Sequence, residues 1–324
     1  MIITQTAFRI PLAGGGTDLD FYCKRKGGKL ISSTFNQFVF VLLAERPIDD
    51  KILVQTTSTQ FSNDITKIKH PIIREVLKYF NIKKKIQIST FSTLPTSSGL
   101  GSSSALIVGL IKAISIFKKK KISKSKIAKI AFLIERKILK CIGGWQDQII
   151  TSYGGIQLIN IDKKSNFNSS SIQIKKKSLI KLEKKLILVF TKELRNSSKI
   201  ILSQKTNLKN TIKTYDAIKS LVPLIKGSLI RGDYKKIGKI FHYHWKLKKQ
   251  LSKKITNSNI DKVYIKLLKE KSFIGGKLIG AGGGGFFLMV TSNLKKSIKY
   301  LKSKNLNFTK FKFTFGGPKI VKCL

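Results

Sequence analysis

The sequence predicts an α+β protein of two domains, and three observations carry that expectation. Strand-type segments rich in β-branched and aromatic residues crowd the first half. Helical runs interrupt them without the strict βαβ alternation of a doubly wound sheet. The 324 residues, 42% of them hydrophobic, suffice for two ordinary cores. In chain order TQTAFRIPLAG, KLISSTFNQFVFVLLAE, KILVQTT and KIQISTFS read as strands. HPIIREVLKYFNI, ALIVGLIKAISIFKKKK and, opening after a serine, SKSKIAKIAFLIERKILK read as helices. SYGGIQLINI returns to the sheet, and the polar KKSNFNSSS marks a loop between domains expected over 1–170 and 171–324. The second domain opens with strand-like KKLILVFTKEL and continues into helices through KKQL. A helix from Asp261 to Lys271, a glycine-rich loop entering the strand FFLMVTS, and a last strand FTKFKFTFGG complete it. No repeat of 20 to 50 residues is visible.

Composition narrows the functional classes. No run approaches the roughly 18 to 20 apolar residues of a membrane span, and the N-terminus shows neither a basic leader nor an apolar signal core, so a cytoplasmic protein without membrane partners is expected. Cys23, Cys141 and Cys323 are far apart and without CxxC spacing, which favours free thiols over disulfides or zinc. The net charge of +48 would ordinarily point to nucleic acid. Here 57 of the 64 basic residues are lysine, spread along the whole chain among Ile, Asn and Ser, as a coding bias toward A and T would leave them. A dedicated binder would concentrate forked arginines on one face. Nonspecific, salt-sensitive adhesion to polyanions is expected, and a specific nucleic-acid partner is not.

Three glycine-bearing stretches hold the chemistry. In LPTSSGLGSSSAL, residues 94–106, Pro95 ends the preceding element and small residues let the backbone turn its N–H groups inward where a helix begins, at about Ser104. A helix N-terminus carries about half a positive charge and unpaired donors, so phosphate is its natural ligand. Neither GxxxxGK[ST] nor GxGxxG is present, and taken alone the stretch reads equally as a turn or N-cap. FRIPLAGGGTD, residues 8–18, and KLIGAGGGGFFL, 277–288, accompany it. His242 and His244 lie two apart on a helix, on different faces, with no third ligand, and read as packing or surface residues. Ser102 to Ser104 lack the His/Asp set of a serine hydrolase, and Lys118 to Lys121 form a solvated helix end.

RIPLAGGGTD, PTSSGLGSSSA and GAGGGG, in that order, resemble the three motifs of the GHMP small-molecule kinases, and the resemblance covers nearly the whole chain. AGGGTDLDFY, IERKILKCIGGWQDQ with SYGG after it, FTKELRNSS and GGKLIGAGGGG are similar to the branch that phosphorylates D-glycero-D-manno-heptose 7-phosphate at its anomeric hydroxyl. Related fucose and other sugar kinases share AGGGTD. The resemblance implies a two-domain fold, the first domain like the second domain of ribosomal protein S5 and the second ferredoxin-like. It also implies ATP and Mg²⁺, small-molecule partners, and a product destined for nucleotide-activated heptose and surface glycans. It leaves the oligomeric state open, a dimer included.

Carried over residue by residue, the resemblance places Pro95, Ser98, Gly99, Leu100, Gly101, Ser102, Ser103 and Ser104 around the ATP phosphates, with Ser103 and Glu135 on Mg²⁺. Magnesium takes hard oxygen ligands, usually one or two from protein. Glu135 is one of only 16 carboxylates and sits in an apolar stretch where an unpaired charge is costly; a surface pair with Arg136 is the plainer reading. Asp147, otherwise a turn residue, matches the aspartate that faces the acceptor hydroxyl, and Arg9 the cation beside it. Gly14, Gly15, Gly16, Thr17, Asp18 and Gly144 fall on the sugar side; Asp18 either binds hydroxyls, caps a helix starting at Leu19, or does both. Gly282 and Gly283 close the cleft, or form a turn into the next strand. Arg195 suits a substrate phosphate, as Lys29 or Lys277 also would, and reads nearly as well as a surface residue. Lys137 and Lys140 depart from the branch, which commonly has an acidic residue and a glycine there, so altered preference or weakened activity is an open outcome. The rival readings are a GHMP kinase for another sugar such as fucose, and a basic nucleic-acid-binding protein on an inactive kinase fold.

Overall fold

The computed structural model describes residues 1–323 apart from 96–97, 194–196 and 206. The first half gives β1 (Ile2–Ala13), α1 (Asp20–Lys26), β2 (Gly28–Glu45), β3 (Ile52–Gln55), β4 (Thr59–Ser62), α2 (Pro71–Tyr79) and β5 (Ile86–Ser92). It continues with α3 (Ser102–Phe117), α4 (Lys124–Phe132), a π-helical turn (Leu133–Ile138), α5 (Gln146–Tyr153), β6 (Ile156–Ile161) and β7 (Phe167–Ser171). The second half gives α6 (Lys176–Glu183), β8 (Leu186–Phe190), α7 (Ser197–Ser203), α8 (Leu208–Arg231), α9 (Tyr234–Lys249), α10 (Ser258–Lys269) and β9 (Phe273–Leu278). β10 (Phe286–Thr291), α11 (Leu294–Ser303), β11 (Phe308–Lys310) and β12 (Lys319–Cys323) end it.

Among the described residues one sheet runs β12-β1-β2-β5-β3-β4, with β6 and then β7 added on β2. Its pairs are antiparallel except β3 with β5. The second sheet, β11-β8-β10-β9, is antiparallel throughout. The fold is therefore α+β, with helices gathered on sheets rather than interleaved as βαβ units. α3 is apolar nearly all round and buries Ala105, Ile107, Val108, Leu110, Ile111 and Ile114 completely, as expected of a helix enclosed by a sheet and other helices. In the second half Trp245, Tyr264 and Phe287 pack ring against ring between α9, α10 and β10.

Four local expectations are corrected. Polar FNSSS, read as interdomain loop, is β7 paired with β6, because an edge strand needs few apolar side chains. The helix read through residue 140 stays α-helical only to Phe132 and then widens into the π-helical turn. A strand, β9, also precedes the glycine-rich loop, its Gly275 and Gly276 paired opposite Val290 and Met289. The segment read as the last strand contributes β11 to the second sheet, while β12 returns to the first sheet beside β1.

Candidate active site

A cleft of about 670 Å³ lies between the helices on the first sheet and the β9–β10 side of the second. β1 brings Arg9 to its floor. The pairing of β1 with β2 shifts register between Ala7 and Arg9, and a bulge of this kind re-aims the following side chain. The Arg9 guanidinium donates from Nε to Asp147 Oδ1 at 2.6 Å, from NH2 to Asp147 Oδ2 at 2.7 Å, and from NH1 to the Gly99 carbonyl at 2.6 Å. Its backbone N–H donates to the Leu100 carbonyl at 3.1 Å. One side chain thus joins β1, the Gly/Ser loop and α5. Asp147 stands in the first turn of α5, where the helix dipole favours a carboxylate.

The Gly/Ser loop reaches the cleft through Gly99, Gly101, Ser102 and Ser103. Gly101 is the N-cap of α3 at φ 79°, a left-handed conformation, and supplies no side-chain cap. A methyl group there would also press to 3.0 Å from Arg9 Cγ and 3.4 Å from Asp147 Oδ2, so glycine is required twice over. The first N–H groups of α3 are left for a ligand. Ser98 is buried and its hydroxyl has no partner among the described residues. Leu100 is fully buried and Pro95 exposed; neither lines the cleft.

Glu135 reaches the cleft from the π-helical turn, a widening frequent at functional sites. It is 5% exposed and accepts hydrogen bonds from Ser104 Oγ at 2.5 Å and Gln148 Nε2. The pair with Arg136 exists at 3.6 Å, but buried rather than on the surface. Ser103 itself is exposed and lines the cleft, so the serine bonded to Glu135 is Ser104.

Gly15, Gly16 and Asp18 also line the cleft. Asp18 does not cap the helix that follows it. Leu19 is the N-cap of α1 without a side-chain bond, while Asp18 Oδ2 accepts from Gln146 N, at the start of α5, at 2.9 Å. Burial raises the Asp18 pKa, that N–H lowers it, and the Asp147 charge raises it again. A methyl group on Gly144 would lie 2.2 Å from Asp18 Oδ2, so glycine is what lets α5 approach this carboxylate. Thr17 fixes the loop by donating to the Gly14 and Lys29 carbonyls at 2.8 and 3.0 Å. In the third glycine stretch Gly280 and Ala281 line the cleft. Gly282 packs beside Ile255, and Gly283 N donates to the Ile255 carbonyl at 2.7 Å. Arg195 lies outside the described residues.

Gln204, Tyr215 and Lys248, which the sequence did not single out, complete the wall with His244, read from sequence as a packing or surface residue, and with Lys277, one of the candidates for the substrate phosphate. Gln204, which accepts from Tyr215 Oη at 2.6 Å, lines the cleft with Tyr215 beside Gly16. Only helix phase could have placed His244 and Lys248 together, four residues apart on one face of α9. Lys137 and Lys140, both exposed, line a smaller cavity of about 230 Å³ that shares Arg136 and Gly143 with the main cleft. Among the described residues no helix is long and apolar enough to cross a membrane, and no cluster of three His, Cys, Asp or Glu residues forms a metal site.

This arrangement, an uncapped helix start facing a carboxylate clamped by arginine, is suited to transfer between phosphate and a hydroxyl. The comparisons with known proteins agree. The family model for the GHMP kinases N terminal domain matches residues 66–155, and that for the GHMP kinases C terminal domain matches 225–301. The chain is 31% identical over 335 residues, 98% of each chain, to D-glycero-alpha-D-manno-heptose 7-phosphate kinase of Campylobacter jejuni. A Campylobacter jejuni structure described as a sugar kinase superposes with a TM-score of 0.81 at 28% identity, covering 99% of this chain and 98% of that one. The structure of a D-glycero-D-manno-heptose 1-phosphate kinase from Bacteroides thetaiotaomicron superposes over 100% of both chains with a TM-score of 0.83 at 21% identity, a likeness of fold. The chain belongs to the GHMP kinases and is a phosphotransferase with an alcohol group as acceptor.

Proposed function

We propose that this protein transfers the γ-phosphoryl group of ATP to the anomeric O1 hydroxyl of D-glycero-D-manno-heptose 7-phosphate, giving ADP and the 1,7-bisphosphate. The observation that carries the reaction is the Arg9–Asp147 pair, set between the uncapped start of α3 and the Gly14–Asp18 loop. The acceptor rests on the Campylobacter jejuni relative, a kinase of that heptose phosphate by name.

In this reading the N–H groups at the start of α3 and the Ser98 hydroxyl hold the β and γ phosphates. Glu135 and Ser103 offer a carboxylate and a hydroxyl, a hard-oxygen set that fits Mg²⁺ when phosphate and water complete the shell. Bound there, the ion would neutralise phosphate charge as transfer proceeds. Asp147 accepts the hydrogen of the acceptor hydroxyl. The freed oxygen bonds to the γ phosphorus, the bond from that phosphorus to the β-bridging oxygen breaks, and ADP leaves with the electron pair. Arg9 binds one lone pair on each Asp147 oxygen and holds the carboxylate in a fixed orientation. Asp18 and the Gln204–Tyr215 pair face the sugar hydroxyls.

The test is ADP release with ATP, Mg²⁺ and a panel of sugars and sugar phosphates, against an Asp147→Asn control. Turnover of the heptose 7-phosphate, lost in the control and yielding an anomeric phosphate by phosphorus NMR, is expected. Turnover confined to an unphosphorylated sugar such as fucose would discard the acceptor.

A further inference from the structure

Lys277 is 2% exposed, yet it is one of the residues that line the cleft. Its Nζ donates to the Leu12 carbonyl at 2.8 Å, lies 3.4 Å from His244 Nδ1 and stands 4.9 Å from the centre of the Phe241 ring. Among the described residues it makes no ion pair. Lys248, one helical turn beyond His244, adds a second ammonium, donating to the Leu278 carbonyl at 3.0 Å and to that of Gly280. A buried cation held, among the described residues, by a carbonyl, a ring nitrogen and an aromatic face is costly in the free protein. Two of the three Lys277 N–H donors are engaged among the described residues, leaving capacity for a ligand oxygen.

Position decides which ligand supplies the missing negative charge. Arg9 and Asp147 touch the Gly/Ser loop at Gly99 and Gly101, which marks the nucleotide end. Leu12 lies three residues further along β1, about 10 Å away at roughly 3.3 Å per residue. That separation matches the span from the anomeric oxygen to the terminal phosphate of a heptose phosphate. We propose that Lys277, positioned by His244 and supported by Lys248, binds the phosphate monoester of the acceptor and makes this kinase select a phosphorylated sugar. The proposal rests on the reading of the protein as a sugar-phosphate kinase and assigns the phosphate to these residues.

The surrounding chemistry is consistent. Burial, then the charges of Lys277 and Lys248, depress the His244 pKa well below its ordinary value and keep the ring neutral. Nδ1 facing the Lys277 ammonium accepts, so the ring proton sits on Nε2, a further donor for a phosphate oxygen. Burial alone brings Lys277 to about 7, and a dianion arriving beside it would hold it charged.

The experiment compares wild type with Lys277→Met, Lys277→Arg and His244→Asn. Steady-state kinetics use the heptose 7-phosphate, the unphosphorylated heptose and ATP, and thermal melts are run with inorganic phosphate as probe. Lys277→Met should raise KM for the sugar phosphate on the order of 30- to 100-fold, the loss of one charge-assisted contact. Its preference for phosphorylated over unphosphorylated heptose should collapse, and phosphate should no longer raise its Tm. Lys277→Arg should keep most of the preference, and His244→Asn should lose part of it. An unchanged KM for the sugar phosphate in Lys277→Met, or an increase confined to the KM of ATP, overturns the proposal. If Lys277→Met does not fold, an unaltered preference in His244→Asn overturns it instead. A wild type that ignores the heptose 7-phosphate, yet loses phosphate protection in Lys277→Met, would sink the acceptor and leave this phosphate site standing.

Discussion

Arg9→Lys separates charge from geometry at the centre of the site. Arginine makes three short contacts at once, two to Asp147 and one to the Gly99 carbonyl. A lysine ammonium keeps the charge but is a single point on a shorter reach, and can satisfy one of the three. Charge-assisted hydrogen bonds contribute about 1.5–3 kcal/mol each. Losing two, with part of the attraction retained, costs about 2–4 kcal/mol of transition-state stabilisation, or roughly 30- to 900-fold in rate. Because the contacts orient Asp147 against the phosphate loop, most of the loss should fall on kcat rather than on the KM of ATP. Initial rates of ADP release at saturating ATP measure it, with urea unfolding of both proteins to show that the fold is intact. A folded Arg9→Lys enzyme with kcat within about threefold of wild type would refute the role given to the fork.

Other perturbations reach the rest of the site. Glu135→Gln should raise the Mg²⁺ concentration for half-maximal rate by roughly tenfold or more; an unchanged metal titration would remove Glu135 from the ion. Gly144→Ala sets a methyl group 2.2 Å from Asp18 Oδ2, and should cost about 2–4 kcal/mol in urea unfolding through overpacking and loss of the Asp18–Gln146 bond; an unshifted midpoint would contradict the contact. Lys277 gives a pH signature in the unliganded protein. Below pH about 7 its ammonium is charged folded and unfolded and the burial cost is fully present; from there toward 10.5 the unfolded chain keeps a proton the folded chain has released, so stability rises with pH. Its contribution has a slope of about 1.4 kcal/mol per pH unit, read as the difference between wild type and Lys277→Met across pH 7 to 9, and a flat difference would show that Lys277 titrates normally. In the same window sugar-phosphate affinity should fall about tenfold per pH unit in wild type, from the charge on Lys277.

Sequence alone carried the α+β class and the kinase family. β-branched alternation, helical periodicity and glycine at three junctions are local properties, each constrained by short-range sterics that survive in a single chain. It also named Arg9, Asp147, Glu135 and the Gly/Ser loop, since motif order preserves residue identity whatever the surrounding fold does. The tertiary structure decided what those residues touch. It gave Asp18 to the start of α5 instead of its own helix, and Ser104 to Glu135, because hydrogen-bond partners 128 and 31 positions apart are chosen by packing. It showed polar FNSSS to be a strand, whose burial comes from a neighbour rather than from its own side chains. Above all it drew Lys277 and His244 out of an unremarkable lysine-rich background. In a chain holding 57 lysines the sequence offered Lys277 only as an alternative beside Lys29 and Arg195; burial beside a cleft, without a counter-charge among the described residues, singles it out, and burial is a property only the folded chain possesses.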